Sequence, residues 1–113
     1  MDKNNNYPVI IKSYNLTLWY IKKLSTLPKN HRFTLGESIQ HELLSLLLNL
    51  TEAIYTKEKR ELLKKANLNI EKVRLLTRLL KDLNIISSKN QLFIVENLSE
   101  IGSMVGGWLK NAR

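Results

Sequence analysis

Apolar side chains recur every three or four residues in four stretches of this 113-residue chain, and turn-forming residues separate the stretches. That period places the apolar side chains of each stretch on one side of an α-helix. Only four glycines and two prolines occur, with no cysteine, which favours helices over a sheet or a disulfide-linked fold. The length fits one domain. The sequence predicts an all-α fold, an antiparallel up-down-up-down four-helix bundle with helices at about 8–27, 35–55, 57–84 and 88–110.

Capping signals mark the predicted helix ends. Thr34 is followed by Glu37, and Ser88 by Gln91, at the spacing of a capping box. We therefore expect the second and fourth helices to begin at Thr34 and Ser88. Asn84 is expected to end the third helix. The polar start at Asn4, Asn5 and Asn6 is predicted to be frayed.

Each predicted helix has an apolar stripe. The stripe of the first consists of Ile10, Tyr14, Leu18, Ile21 and Leu24. The second has Ile39, Leu43, Leu46, Leu47, Leu50, Ala53 and Ile54. The third has Leu62, Ala66, Ile70, Val73, Leu76, Leu80 and Leu83. The fourth has Ile94, Leu98, Ile101, Val105 and Trp108.

The second and third helices carry further apolar residues away from these stripes. On the second they are Leu44, Leu48 and Tyr55, and on the third Leu68, Leu75 and Leu79. Two interpretations remain open. They are ordinary exposed side chains of a soluble protein, or they form a contact between subunits.

Positive charge collects on the third helix. The segment 57–81 holds nine of the eighteen Lys and Arg residues and three acids, a net charge of +6 out of +8 for the chain. One outward sector of this helix carries what we call the basic strip, which consists of Arg60, Lys64, Arg74, Arg78 and Lys81. Such a strip suits a polyanion or an acidic partner, although a charge run on a helix is more often a solvated surface.

Gly102 and Gly106 interrupt the fourth helix. Each glycine costs a helix about 1 kcal/mol relative to alanine, so a packing reason is expected. Either a neighbouring backbone approaches closely or the glycines leave a flat surface for a partner. We expect close packing.

Residues for catalysis are scarce. The only histidines are His31 and His41, and neither has the neighbours of a zinc or di-iron motif. No glycine-rich loop precedes a helix, and no apolar run approaches the ~20 residues of a membrane span. We expect a protein that is not an enzyme, with no catalytic residue, metal or cofactor, no association with a membrane, and a cytoplasmic location.

Two segments go beyond the helical pattern: Leu27-Pro-Lys-Asn-His-Arg-Phe-Thr-Leu-Gly36 and Glu100-Ile-Gly-Ser-Met-Val-Gly-Gly-Trp-Leu-Lys110. Together with Ala66-Asn67-Leu68, they resemble the accessory variability determinant (Avd) proteins of diversity-generating retroelements, from Tyr14 to Lys110. Many of those proteins carry an arginine where this chain has Ser38. That position's contribution to the charge is therefore in doubt.

The resemblance implies a four-helix bundle that assembles as a barrel-like homopentamer. It implies a non-catalytic accessory subunit that binds the retroelement reverse transcriptase and nucleic acid, RNA or DNA, through basic surfaces. Mutagenic copying of a template RNA into cDNA would be performed by the polymerase. Bundle proteins encoded in ribosomal-RNA intervening sequences share the fold and give one alternative. A protein-interaction scaffold without a nucleic-acid role is another.

The resemblance also bears on individual residues. It makes the basic strip the first candidate for contact with nucleic acid or polymerase, with secondary candidates at Lys22, Lys23, Lys29 and Arg32. It favours a subunit interface at Leu44, Leu48, Tyr55, Leu68, Leu75 and Leu79.

Overall fold

Four long helices make up most of the fold, as seen in a computed structural model that describes residues 7–112. They are α1 (Pro8–Leu24), α2 (Glu37–Tyr55), α3 (Arg60–Asp82) and α4 (Ser88–Lys110). No strand occurs in this described range. The all-α class and the four helices are confirmed. The predicted frayed start at Asn4–Asn6 lies outside the described residues.

Neighbouring helices run in opposite directions around a shared core. Lys12 of α1 forms an ion pair with Glu100 of α4, and nearer the other end the rings of Trp19 and Phe93 are 4.7 Å apart. The two contacts show that α1 and α4 are antiparallel. Packing is most extensive between α2 and α3, then between α3 and α4, and α1 lies against α2 and α4.

The core follows the predicted stripes closely in α2 and α4. In α2 the stripe is buried except for the half-buried Leu47. In α4 it is buried except for the half-buried Trp108. Both helices have a single dominant apolar side, so the period alone fixes which side is inside.

The stripe predicted for α1 is partly wrong. Tyr14 and Leu18 are 55% and 44% exposed. The buried side instead includes Leu16 and Tyr20, and also the hydroxyls of Ser13 and Thr17. None of these residues belongs to the predicted stripe. Because α1 is apolar on two sides, hydrophobic spacing could not select the one that faces the core.

Two of the buried side chains in α1 are polar and unpaired. Within the described part of the chain, neither Ser13 Oγ nor Thr17 Oγ1 has a hydrogen-bond partner. Burying a hydroxyl without a partner costs free energy. Burial of the inner side of α1 therefore stabilises the fold less than burial of the inner sides of α2 and α4.

The core side of α3 also differs from the prediction. Leu83 is 52% exposed, whereas Leu63 and Thr77 are fully buried, and Leu62 and Leu76 are half-buried. Leucines surround much of this helix, so its apolar pattern again permits more than one orientation.

A polar contact joins α2 to α3 near the middle of both helices. The buried Asn69 donates a hydrogen bond to Glu42 Oε1 and accepts one from Asn49 Nδ2, each 2.9 Å long. Buried amides are stable only when their polar atoms are paired. This network therefore favours one alignment of α2 along α3.

The helical backbone that leads into α2 begins earlier than predicted, at Lys29 rather than at about residue 35. After Pro28 a helical turn, Lys29–His31, leads into a π-helical turn, Arg32–Gly36, and the backbone continues directly into α2. The capping box at Thr34 is wrong, since its hydroxyl donates to Asn30 O at 2.9 Å from inside the helical run. A Cβ at Gly36 would lie 3.3 Å from His31 O, so the tight π turn favours glycine there.

Other helix ends also differ from those expected: α1 ends at Leu24 rather than at 27, and α3 runs from Arg60 to Asp82 rather than from 57 to 84. Ser87, rather than Ser88, caps α4, because its hydroxyl accepts from the Asn90 backbone N–H at 3.0 Å. After α3, Asn84 has a left-handed φ of 60°. Its N–H donates to Lys81 O and that of Ile85 donates to Leu80 O, each at 2.9 Å, which is the Schellman arrangement.

Tyr20 links α1 to α3 through the core. Its hydroxyl oxygen is 2.7 Å from Thr77 Oγ1, and both residues are fully buried. Burial raises the pKa of Tyr20 to about 12, while the hydrogen bond to Thr77 lowers it in part. The folded chain thus keeps this proton at pH values where the unfolded chain loses it.

We predict that Tyr20 makes the fold less stable at alkaline pH. Below the unfolded pKa of about 10, both states hold the proton and the contribution of Tyr20 is constant. Between that value and the folded pKa of about 12, only the unfolded state ionises, so stability falls as pH rises. The advantage of the wild type over Tyr20→Phe, measured by urea unfolding, should therefore shrink above about pH 10. An advantage that stayed constant with pH would contradict this assignment.

Candidate nucleic-acid interface

The basic strip runs along the outer side of α3, on the flank nearer α4. Arg60, Lys64 and Arg78 are exposed, and Arg74 and Lys81 are half-buried. At 1.5 Å per residue, the strip is about 30 Å long. Asn67 and the acidic Glu71 lie between Lys64 and Arg74, so the outward sector predicted from helical spacing carries two groups of cations.

Acidic side chains of the same helix hold three of the five cations. The nitrogen-to-oxygen distances are 3.4 Å for Lys64 to Glu61, 3.6 Å for Arg74 to Glu71 and 3.8 Å for Arg78 to Asp82. Exposed pairs of this kind are worth only about 0–1 kcal/mol. A stronger anion could therefore displace these carboxylates.

Arg74 is the best-positioned member of the basic strip. Its guanidinium donates a hydrogen bond to Ser99 Oγ of α4 at 3.3 Å. It lines a shallow groove of about 290 Å³ between the two helices, together with Arg78, Gln91 and Val95. A ligand lying in this groove would meet two arginines and the carboxylate of Glu71 on the α3 side.

The secondary basic residues lie elsewhere. Lys22, Lys29 and Arg32 are exposed and Lys23 is half-buried, all at the connection between α1 and α2. Because neighbouring helices are antiparallel, this connection is at the same end of the fold as Lys81. The structure therefore separates the cations into a strip on α3 and a group at one end, and does not gather them at one point.

The predicted interface leucines are all exposed. Their exposed fractions range from 40% for Leu44 to 68% for Leu75. The exposed fractions of the other four residues fall between these values: Leu48, Tyr55, Leu68 and Leu79. A contact between subunits requires apolar side chains that are exposed in the single chain.

A second exposed apolar strip, on α1, was missed from the sequence. It consists of Ile11, Tyr14 and Leu18, which are 43%, 55% and 44% exposed. The signal was present in the apolar period of α1, but two of these residues had been assigned to its core stripe. We call this group the α1 strip.

Close packing of Gly106 is not found. A Cβ on Gly106 would meet no atom within 4 Å, and one on Gly102 would make an ordinary 4.0 Å contact with Ile70. The expectation of close packing within the chain is therefore wrong for Gly106. The glycines leave a low, open surface on α4, which was the other interpretation.

Neither a cluster of metal ligands nor a membrane-spanning helix is found in residues 7–112. No three acidic or histidine side chains there converge on a possible metal site. None of the four helices is long and apolar enough to cross a bilayer.

The fold and its charge distribution define a small, basic, all-α protein that displays charged and apolar strips along its helices. The family model for bAvd-like proteins matches residues 9–112, so the chain belongs to the bAvd-like family. The resemblance seen in the two sequence segments is thereby confirmed. This family is an accessory, non-catalytic kind of protein, and no enzymatic family is indicated. No curated protein matches the chain.

We predict that Gly106→Ala stabilises the isolated chain. Since the added methyl group meets no neighbour, the gain in helix propensity should raise the free energy of unfolding by about 0.5–1 kcal/mol, measured by urea unfolding. Gly36→Ala is the matched control, because there the methyl group would press on His31 O. Destabilisation by Gly106→Ala would contradict the open surface, because it would show that the added methyl group meets a neighbour.

Proposed function

We propose that this protein is the non-catalytic accessory subunit of a diversity-generating retroelement. In this role it binds the retroelement reverse transcriptase and nucleic acid, the template RNA or its cDNA, and supports mutagenic retrohoming. The observation that carries the proposal is the match to the bAvd-like family over residues 9–112. The charge distribution on α3 supports it independently.

The basic strip is the proposed contact surface for polyanions. Its cations lie along one helix, and the carboxylates that pair with three of them are weakly bound. Phosphates would displace those carboxylates and release counterions, which is the main source of sequence-independent binding to nucleic acid. The same row of cations would suit an acidic surface on the polymerase.

We further propose that the chain forms a homo-oligomer, with five subunits as the preferred number. A ring requires two different complementary surfaces on every subunit. The exposed leucines of α2 and α3 supply one apolar surface, and the α1 strip supplies a second on another helix. Five copies would raise the charge from +8 to about +40, which strengthens attraction of nucleic acid.

We predict that Leu75→Glu dissociates the oligomer without unfolding the subunit. Leu75 is 68% exposed, so a carboxylate there stays hydrated in the monomer but would be buried in an interface. Leu50→Glu, at a position that is 0% exposed, should instead lower stability by about 3 kcal/mol or more. Light scattering gives the mass and circular dichroism gives the helix content.

Two outcomes would contradict the interface. One is a wild type that stays monomeric at micromolar concentration. The other is an oligomer whose mass Leu75→Glu leaves unchanged.

We predict that Arg74→Ala combined with Arg78→Ala weakens binding of single-stranded RNA severalfold. Each lost phosphate contact should reduce the slope of log affinity against log salt by about 0.7. Helix content and oligomer mass should be retained, because neither side chain belongs to the core. Fluorescence anisotropy across a range of salt concentrations measures both effects.

The matched control is Lys65→Ala combined with Lys72→Ala. These lysines are exposed on α3 outside the basic strip, and their removal changes the net charge equally. An equal loss of affinity in the two double variants would show that only net charge matters. No loss of binding to RNA or to the polymerase in either double variant would show that the basic strip is an ordinary solvated surface.

A further inference from the structure

The side chain of Phe33 is exposed and takes no part in the core. It lies in the π-helical turn at the start of α2, and 59% of its surface is exposed. The guanidinium carbon of Arg32 is 5.9 Å from the centroid of its ring. An aromatic ring left in water beside an arginine is a common platform for stacking a nucleobase.

A cavity adjoins this ring. It has a volume of about 280 Å³ and is lined by Arg32 and Phe33, by Ser25 at the end of α1, and by Glu37 and Gln40 of α2. The size is close to the lower limit for small-molecule sites, so it suits one planar group rather than a large ligand. Ser25, Glu37 and Gln40 can exchange hydrogen bonds with the edge of a base.

The electrostatic surroundings favour an anion attached to that planar group. Lys22, Lys29 and Arg32 are exposed at this corner and Lys23 is half-buried, against one carboxylate in the cavity lining, that of Glu37. A nucleotide combines a flat base for the ring with a phosphate for the cations. An acidic peptide would use the cations but would leave the aromatic face without a matching partner.

We infer that the corner between α1 and α2 binds one nucleotide of a single-stranded nucleic acid, with its base stacked on Phe33. Arg32 and Lys29 bind the adjoining phosphates, and Glu37 accepts a hydrogen bond from a base that carries an exocyclic amine. The inference rests on the proposed function in so far as that includes binding of nucleic acid. It adds a contact to bases, which the basic strip on α3 does not supply.

The π-helical turn explains why the sequence did not reveal this site. Phe33 lies in the joint between the predicted helices at 8–27 and 35–55, where helical spacing does not predict exposure. In the structure the joint is helical, and the turn at Arg32–Gly36 directs residue 33 outward beside the cations.

The test compares two fluorescent single-stranded RNA oligomers of equal length, one carrying bases and one abasic, with all phosphates retained in both. Stacking is worth about 1–3 kcal/mol per base, which corresponds to a preference of roughly 5- to 150-fold for the oligomer with bases. Phe33→Leu should abolish most of that preference and leave the salt dependence unchanged. Phe33→Trp should retain it.

Phe93→Leu is the matched control, because Phe93 is the only other phenylalanine and is 41% exposed on α4. It should leave the preference for bases intact. Equal binding of the two oligomers by the wild type would overturn the stacking inference while leaving phosphate binding by the basic strip standing. Failure of both oligomers to bind would overturn the inference and the nucleic-acid part of the proposed function together.

Light scattering on Phe33→Leu tests whether Phe33 is instead a contact between subunits. A change of oligomer mass with the preference for bases preserved would show that Phe33 is a contact between subunits, and would overturn the inference. An unchanged mass with the preference lost is the expected result.

Discussion

Burial of the inner side of α2 is the constraint on which the other helices depend. Ile39, Leu43, Leu46 and Leu50 are each 0% exposed, and full burial of such a side chain is worth about 1.5–3 kcal/mol. Only a partner on each flank can cover this side, which is why α3 and α1 lie against α2. The outer side of α2 is then left with leucines that the core cannot use. The same arrangement therefore creates the core and the exposed apolar surface.

Much of this fold could be predicted from the sequence, because in α2 and in α4 one apolar stripe is longer than any other apolar group on the same helix. The prediction failed in α1 and α3, where two apolar sides are of similar length. The buried side of α1 includes the polar Ser13 and Thr17, so its true orientation is set by contact with neighbours and not by its own pattern. The capping box at Thr34 failed for a similar reason, since a spacing of residues cannot show that the backbone before it is already helical.

The candidate surfaces were predictable to different degrees. The basic strip follows from helical spacing alone, and the structure adds that carboxylates of the same helix hold Lys64, Arg74 and Arg78. The exposure of Phe33 depends on a π-helical turn, for which the sequence offers no simple period. The open surface at Gly106 could be recognised only from the positions of the surrounding atoms. The basic strip could be read from sequence because it depends on the spacing within one helix, whereas the exposure of Phe33 and the open surface at Gly106 depend on what packs around them.

The unpaired hydroxyls of Ser13 and Thr17 have a consequence for the dynamics of the chain. They weaken the attachment of α1, which also packs less extensively than α2 and α3 do against each other. In a helical fold the least firmly attached segment opens most often, and hydrogen exchange there is fastest. Ser25, at the end of α1, lines the cavity beside Phe33. Opening of this helix would change the shape of that cavity while α2, α3 and α4 remain packed, so a ligand held there would slow the exchange of amide hydrogens along α1.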